Sequence, residues 1–562
     1  MTNALDQLET QVRRDLALIA HPRARWLTPR KAPDGSDALD VLIVGAGQCG
    51  VTTGFALLRA RVDNLLVIDK APYGAEGPWL TYARMPTLRS PKDQTGPDLD
   101  VPSLTYQVWH EAKFGAASWE QLRLIPTELW NDYVLWVRRV TGVPVRNEVK
   151  LLRIAPEAGL LRASLREGGV ERQVYARKIV LATGQEGAGG WWMPDFVAAL
   201  PLRLRAHTCD AIDFAALRGK TVFVLGAGAS AFDNAAAALE AGAREVHLFC
   251  RRVAPQVIQP YRWLTFAGFL QHLCEMDDVW RWRFMSHILG LREGFPQDTY
   301  DRCARFPNFV LRVGEPWESA RESGGRAAVR SCKSEFTADF LITGTGVDMD
   351  FSLRPELAAC AHNIATWADR YAPPIDERDE RLARFPYLGP DHAFQEKNAG
   401  RTPWIRDIHF FGIAATMSFG PSGSSINAMT TAVPRLAQGV TRGLFAGDLD
   451  SHWAALKAYD VPQAILQTKP SGARSFEPRS CRACAASSGA PRSPPPPRAM
   501  PAIRRACSAS TSRRWRQSCA QAATPASAAC SISAPSPPMA MPPSSITRSP
   551  RPIAASRSCC MA

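Results

Sequence analysis

The chain has 562 residues, 46% of them apolar, and a formal net charge of +14. That length allows about three to four domains, and the apolar share is that of a globular protein with room for large cores. No window reaches about 18 uninterrupted apolar residues, which argues against a transmembrane helix, and the charged stretch 1–27 lacks the apolar centre of a secretory signal.

Residues 1–37 read as an amphipathic helix and a proline-rich entry with Pro22, Pro29 and Pro33. Asp40 to Val44 is a short apolar run of the kind a buried parallel strand needs. Gly45-Ala46-Gly47-Gln48-Cys49-Gly50 follows at once, then a helical stretch to about Ala60 and a second apolar run, Leu65 to Ile68, ending on Asp69 and Lys70. This is a βαβ unit with GxGxxG at its first turn. Gly45 permits the tight turn, Gly47 lets the backbone approach a pyrophosphate, and Gly50 lets helix and strand pack closely. The helix N-terminus offers free N–H groups to phosphates, and Asp69 can accept from ribose hydroxyls.

Residues 149–180 alternate like a three-stranded antiparallel meander and run into Ala182-Thr183-Gly184. The glycine pattern then recurs. Lys220 to Leu225 is a strand, Gly226-Ala227-Gly228-Ala229-Ser230-Ala231 is the turn with Ala231 in place of the third glycine, and an alanine-rich helix runs from Phe232 to about Ala241. The next strand, Glu245 to Phe249, ends in Cys250-Arg251-Arg252 rather than an acid. An acid there would repel a 2′-phosphate, whereas guanidinium groups bind it bidentately, so this second site is expected to prefer NADPH over NADH.

Pro255 to Phe306 is longer than such a domain needs and rich in aromatics, which reads as a helical insertion over the cleft. A second meander-like region takes in 309–313, 327–330 and 339–346, with Thr343-Gly344 at its end. Ile408 to Gly412 reads as the last strand of the first domain and Ser425 to Phe445 as its closing helix. The expected fold is α/β, with two Rossmann-like dinucleotide-binding domains, the second inserted in the first and each carrying an antiparallel meander. The boundaries are 1–37 for the leading helix and linker, 38–206 and 331–467 for the first domain, 207–330 for the second with its insertion at 255–306, and 468–562 for the tail.

The charge is concentrated in that tail. Residues 469–562 hold 13 Arg and one Lys against a single acid, Glu477, while the first 468 residues hold 53 basic and 52 acidic residues. The tail also has 16 of the 44 prolines and seven of the 14 cysteines, with no helical or strand period, so disorder is expected. A basic nucleic-acid arm and a non-native extension read out of frame both fit. The absence of interleaved aromatics and the Ala, Ser, Pro, Arg and Cys bias favour the extension. Cys481 and Cys484 form a CxxC without a second pair, so no metal is expected. The other cysteines are singletons, which suits a reducing cytoplasm.

Gly45 to Gly50 with Asp69, Ala182-Thr183-Gly184, Gly226 to Ala231 with Arg251 and Arg252, and Thr343-Gly344 together resemble the two-dinucleotide-binding-domain flavoproteins. Within them, residues 38–466 resemble the class B flavin monooxygenases, a group that includes flavin-containing, Baeyer–Villiger and siderophore-type N-hydroxylating enzymes. The resemblance implies FAD at the first turn, NADPH at the second, and oxygenation of a small nucleophile by O₂ through a C4a-(hydro)peroxyflavin. His207 sits where Baeyer–Villiger enzymes place a fingerprint histidine, but Pro201, Arg203 and Ala211 depart from that fingerprint, so a packed histidine is expected.

No CxxC occurs in residues 1–468, and Gly412 is followed by Ile413 where many reductases carry an Asp; both favour the monooxygenase branch. The candidates near the flavin ring are Trp79, Arg89, Ser90, Lys92 and the loop Gly420 to Ser424. Lys92 and Arg89 are the catalytic candidates, as cations able to stabilise negative charge on reduced flavin. An amine or amino-acid substrate is preferred from the Thr87-Leu88-Arg89-Ser90-Pro91 stretch. A reductase or oxidase without oxygenation and a Baeyer–Villiger reaction remain alternatives, as does an inactive scaffold. The body is expected to bind neither nucleic acid nor membrane, and self-association is left open.

Overall fold

The computed structural model describes residues 3–291, 294–421, 423 and 425–465. The tail, with its expected disorder and its CxxC, lies outside them. The first apolar run forms β1 (Leu39–Val44), buried at every position after the first. Such a strand has no polar face because both of its faces are covered. β2 (Leu65–Ile68) pairs with it in parallel, and β3 (Val145–Arg146) extends that edge. β4 (Val149–Glu157), β5 (Leu160–Glu167) and the first half of β6 (Val170–Gly184) form the expected antiparallel meander. From Ala176 onward β6 runs parallel to β1, so one 15-residue strand joins meander to sheet.

β7 (Gly189–Trp191) begins the departure from this sheet. A second, all-parallel sheet follows, built from β8 (Arg205–His207), β9 (Thr221–Leu225), β10 (Glu245–Cys250) and β11 (Phe309–Val313). β12 (Trp317–Ser323), β13 (Arg326–Ser331) and β14 (Glu335–Ala338) make an antiparallel three-stranded sheet. β15 (Phe340–Thr343) then inserts between β9 and β8, giving the order β11-β10-β9-β15-β8. β16 (Val347–Met349) pairs with β7, and β17 (Ile408–Gly412) returns to lie parallel to β6.

Two expectations differ here. Residues 309–313 are not meander but the parallel edge strand β11, since Val246 to Cys250 of β10 pair with them. The expected boundary at 330/331 falls inside β13. Backbone pairing of β13 to β14 and of β15 to β9 keeps residues up to Thr343 with the second sheet.

Helices line one side of the first sheet, while the meander and short helical turns cover the other. The N-terminal helix Ala4–Leu18 and helices Gln48–Arg59, Thr127–Thr141 and Met429–Gly447 share one core with β1. The last starts four residues later than expected because Ser425 to Ala428 form a turn. The second sheet packs on the alanine-rich helix Ala229–Glu240, which begins before Phe232. The 255–306 stretch is helical, with helices Pro260–Trp263, Ala267–His272, Asp278–Leu291 and Gln297–Ala304. Its Phe269, Leu273 and Trp282 pack against Trp367, Phe385 and Met417 of the returning chain, while Trp263, Phe266 and Trp280 stay exposed. Among the described residues no helix is long and apolar enough to cross a membrane, and no cluster could hold a metal ion.

Candidate cofactor and active site

The two glycine turns lie at the C-terminal ends of β1 and β9. Gly45 has φ +104°, and a Cβ there would stand 2.4 Å from the Ala182 carbonyl oxygen. A Cβ on Gly50 would stand 1.8 Å from the Gly45 oxygen. The protein's own packing therefore dictates both glycines. Gly47 is different, since the nearest atom to a Cβ there is Gly77 Cα at 3.8 Å. Its bare face is not required by the chain and is what a pyrophosphate needs. Gly47 also precedes helix Gln48–Arg59, whose N-terminus no side chain caps.

Asp69 sits beside this end. Its Oδ2 accepts from the Ala46 amide at 2.7 Å and its Oδ1 from the Ala71 amide at 2.8 Å. Burial raises its carboxyl above the usual range, against the pull of those two hydrogen bonds. Lys70 pairs with Glu186 at 2.6 Å. Trp79 packs edge-on to Trp130, and its indole Nε1 is buried without a partner among the described residues. Trp130 in turn donates to Gln48 Oε1 at 3.0 Å. Arg138 braces the same loop through Glu76 at 2.8 Å and Asn147 at 3.1 Å. Sequence reasoning missed Gln48, Glu76, Trp130 and Arg138, because the motif leaves Gln48 unspecified, Glu76 lies in a loop outside it, and the helix Thr127–Thr141 reads as ordinary core.

Thr183 and Gly184 end β6 beside Gly412, which pairs with Gly184. The loop after Phe419 reaches the first turn: Cys49 Sγ donates to the Gly423 carbonyl at 3.5 Å. Ser422 and Ser424 lie outside the described residues. Burial pushes the Cys49 thiol up to about 12, which keeps it protonated at neutral pH.

The second turn repeats the geometry with one exchange. Gly226 has φ +116°, and a Cβ there would stand 2.5 Å from the Gly344 oxygen. Ala231 fills the third position, and its Cβ would lie 2.8 Å from a Cβ on Gly344. Gly228 has nothing within 4 Å of its bare face, and Ser230 beside it is exposed. The two arginines part company. Arg251 is exposed and makes no hydrogen bond or ion pair among the described residues. Arg252 donates to the carbonyls of Gly290 and Leu291, both at 3.1 Å, at the C-terminal end of helix Asp278–Leu291.

Arg89 and Lys92 each have a partner of their own. Arg89 Nη2 bonds Asp233 Oδ2 at 2.6 Å. Asp233 is 2% exposed and also holds Arg302 at 3.2 Å, which continues to Glu240 at 2.8 Å. A carboxylate so buried needs countercharge, and Arg89 supplies it. Lys92 donates to the Trp119 carbonyl at 2.7 Å and lies 4.5 Å over that indole. His207 is packed, with Nδ1 3.2 Å from Cys209 Sγ and its ring against Trp191. Burial lowers its basicity.

Two cofactor-shaped turns on one chain define a dinucleotide-dependent oxidoreductase. A family model described as pyridine nucleotide-disulphide oxidoreductase matches residues 42–265. The FAD-dependent urate hydroxylase of Xanthomonas campestris pv. campestris is 41% identical over 467 residues, which is 83% of this chain and 98% of that protein. The chain belongs to that family of FAD-dependent hydroxylases. The reduced form of ornithine hydroxylase from Pseudomonas aeruginosa superposes with a TM-score of 0.56 at 16% identity, covering 72% of this chain and 100% of that one. Ornithine N-hydroxylase of Kutzneria sp. 744, solved with reduced FAD, NADP⁺ and L-ornithine, has a TM-score of 0.56 at 15% identity and coverages of 72% and 99%. At these identities the likeness is one of fold. The seven described cysteines are all free.

Proposed function

We propose that this enzyme uses FAD at Gly45–Gly50 and NADPH at Gly226–Ala231 to transfer one oxygen atom from O₂ to a small substrate, with urate as the first candidate. In this reading β1 to β6 and β17 form the FAD-binding domain, and β8 to β15 form the NADPH-binding domain inserted in it. The observation that carries it is the pair of open faces at Gly47 and Gly228, each at a helix N-terminus, in a chain 41% identical to a urate hydroxylase. FAD, when bound, supplies electron uptake from NADPH and the activation of O₂.

The chain's own residues bind, orient and exclude water. Gly47 admits the pyrophosphate to the helix end, and Asp69 keeps lone pairs for ribose hydroxyls beside its two amide bonds. Trp79 Nε1 is a buried donor left for the cofactor or substrate. Arg251 takes the 2′-phosphate. Phe269 and Leu273 close over the Gly420 turn, each 3.4 Å from a Cβ built there, and shut water from that side. Arg89 and Lys92 act as positioning groups, Arg89 by tying the loop after β2 to the helix of the second sheet.

Urate is placed ahead of the amine substrate expected from the Thr87 to Pro91 stretch because of the 41% identity to a urate hydroxylase. The test is NADPH and NADH oxidation with O₂ uptake by FAD-loaded protein, using urate, ornithine, lysine, a thioether and a ketone. A product one oxygen atom heavier supports the reading. Peroxide formed in step with NADPH consumed, with no such product, supports the oxidase alternative.

A further inference from the structure

Helix Gln297–Ala304 of the insertion places one side chain between the surroundings of the two glycine turns. The Arg302 guanidinium forks onto Glu240, with Nε 3.1 Å and Nη2 2.8 Å from its two carboxylate oxygens. Its Nη1 donates to Asp233 Oδ1 and to the Arg84 carbonyl, both at 3.2 Å. Asp233 and Glu240 belong to helix Ala229–Glu240, whose first turn follows the bare face of Gly228. Arg84 belongs to the stretch between Trp79 and Arg89, on the side of the first turn. Resting on the cofactor placement proposed above, we infer that Arg302 is a positioning residue. It fixes the NADPH-binding helix against the flavin-side loop and so sets the distance over which hydride passes from NADPH to FAD.

The donor geometry is the first argument. Arginine carries five N–H groups in a rigid planar fork, and Arg302 uses four of them on three separate groups. A lysine, a point charge on a flexible stem, cannot span all three. The side chain is 15% exposed, so little water competes for these bonds. Its own helix is anchored separately. Thr299 Oγ1 donates to Asp233 Oδ1 at 3.4 Å, and Cys303 Sγ donates to the Phe232 carbonyl at 3.3 Å. Helix Gln297–Ala304 therefore stays with the NADPH-binding helix, and what Arg302 adds is the tie to Arg84. Arg89 makes the other tie from the same loop, to Asp233 Oδ2 at 2.6 Å. One tie leaves a pivot, whereas two fix orientation as well as distance.

Charge order is the second argument, and it separates this role from stability. The groups alternate as Arg89, Asp233, Arg302, Glu240 and Arg305. Arg305 bonds Glu240 at 2.6 Å from a side chain that is 58% exposed. Without Arg302, Asp233 keeps Arg89 and Glu240 keeps Arg305, so neither carboxylate is stranded. Asp233 is fifth in its helix, about 6 Å along the axis from Ala229, so a slip at this junction reaches the nucleotide end. Hydride transfer moves two electrons and one proton from NADPH to FAD, leaving NADP⁺ and reduced FAD. It needs the reacting atoms about 3–3.5 Å apart, and a misplacement of about 1 Å costs about 10²-fold.

Arg302→Met, Arg302→Lys and Arg305→Ala are compared with wild type as FAD-loaded full-length protein. Anaerobic stopped-flow absorbance gives the limiting rate of flavin reduction and the NADPH concentration at half that rate. Arg302→Met should lower the limiting rate at least about tenfold and move the half-saturating concentration less than about threefold. Arg302→Lys should fall between, and Arg305→Ala should match wild type. Hydrogen exchange of the apoproteins gives a readout free of cofactors: peptides covering residues 80–90 should exchange faster in Arg302→Met and not in Arg305→Ala. Melting temperature and FAD content report folding, and Arg302→Lys serves as the test variant if Arg302→Met does not fold. A limiting rate within about threefold of wild type in Arg302→Met, or equal slowing in Arg305→Ala, would overturn the inference. Weaker NADPH binding at an unchanged limiting rate would overturn it too, by making Arg302 a nucleotide-binding residue. Unchanged exchange at residues 80–90 would overturn the tie itself. Wild-type flavin that NADPH leaves oxidised would overturn the proposed function, an outcome the cofactor-free exchange keeps apart from the tie.

Discussion

Replacing Gly50 by alanine tests whether the first turn is held by packing in the way its geometry implies. The new Cβ would stand 1.8 Å from the Gly45 carbonyl oxygen, which is backbone and cannot rotate away. Non-bonded contacts relax at roughly 3.5 Å, so the helix must withdraw by more than about 1 Å. That movement carries the N–H groups of the helix end out of reach of a bound pyrophosphate. A hydrogen bond to a charged group contributes about 1.5–3 kcal/mol, so losing two costs about 3–6 kcal/mol. FAD affinity should then fall by roughly 10²–10⁴-fold. The assay is fluorescence titration of apoprotein with FAD, with Ala231→Gly as the control at the second turn, where NADPH affinity should change by less than about threefold. FAD binding to Gly50→Ala within threefold of wild type would refute the reasoning.

Arg251→Ala should raise the KM for NADPH by about 10–100-fold and leave that for NADH unchanged, while Arg252→Ala should lower stability and leave the NADPH/NADH preference intact; steady-state kinetics with both nucleotides checks this. Asp233→Asn leaves Arg89 and Arg302 facing a neutral amide and should cost about 1–3 kcal/mol, read as a fall in melting temperature. His392 is fully buried and held to about 3 by that burial, with His409 and Arg435 adding repulsion. Below its ordinary value of 6.5 the unfolded chain binds a proton that the folded chain refuses, so stability should fall as pH drops from about 6.5 toward 3, at up to about 1.4 kcal/mol per unit. His392→Asn, which tolerates the φ of +64° there, should flatten the pH dependence of urea midpoints over that range.

The sequence carried the parts of the fold that depend on local pattern. β1, β2 and the glycine turns were legible because a buried parallel strand leaves an unbroken apolar run and a phosphate-sized turn needs bare backbone. The assignment of 309–313 failed because a short apolar strand reads alike in a meander and at a parallel edge; only its pairing with β10 tells them apart. Arg89 and Lys92 were conspicuous in sequence as charges near a cofactor motif, but their contacts were not legible. Their partners, Asp233 and the Trp119 carbonyl, are 144 and 27 residues away and carry no mark of the contact. Arg251 and Arg252 were indistinguishable in sequence, and the end of a helix some forty residues later separates them.

The exchange at the second turn has a practical consequence. At the first turn the crowded third position is relieved by removing the side chain from the helix, at Gly50. At the second, the helix keeps its methyl group at Ala231, and the opposing strand end gives way at Gly344. The unit that must be moved intact in any graft or recombination is therefore not the six-residue glycine loop but the loop together with the strand end facing it, about 115 residues further along. A second loop transplanted without Gly344 would meet a side chain where it needs a gap, and the failure would surface as misfolding rather than as lost cofactor specificity.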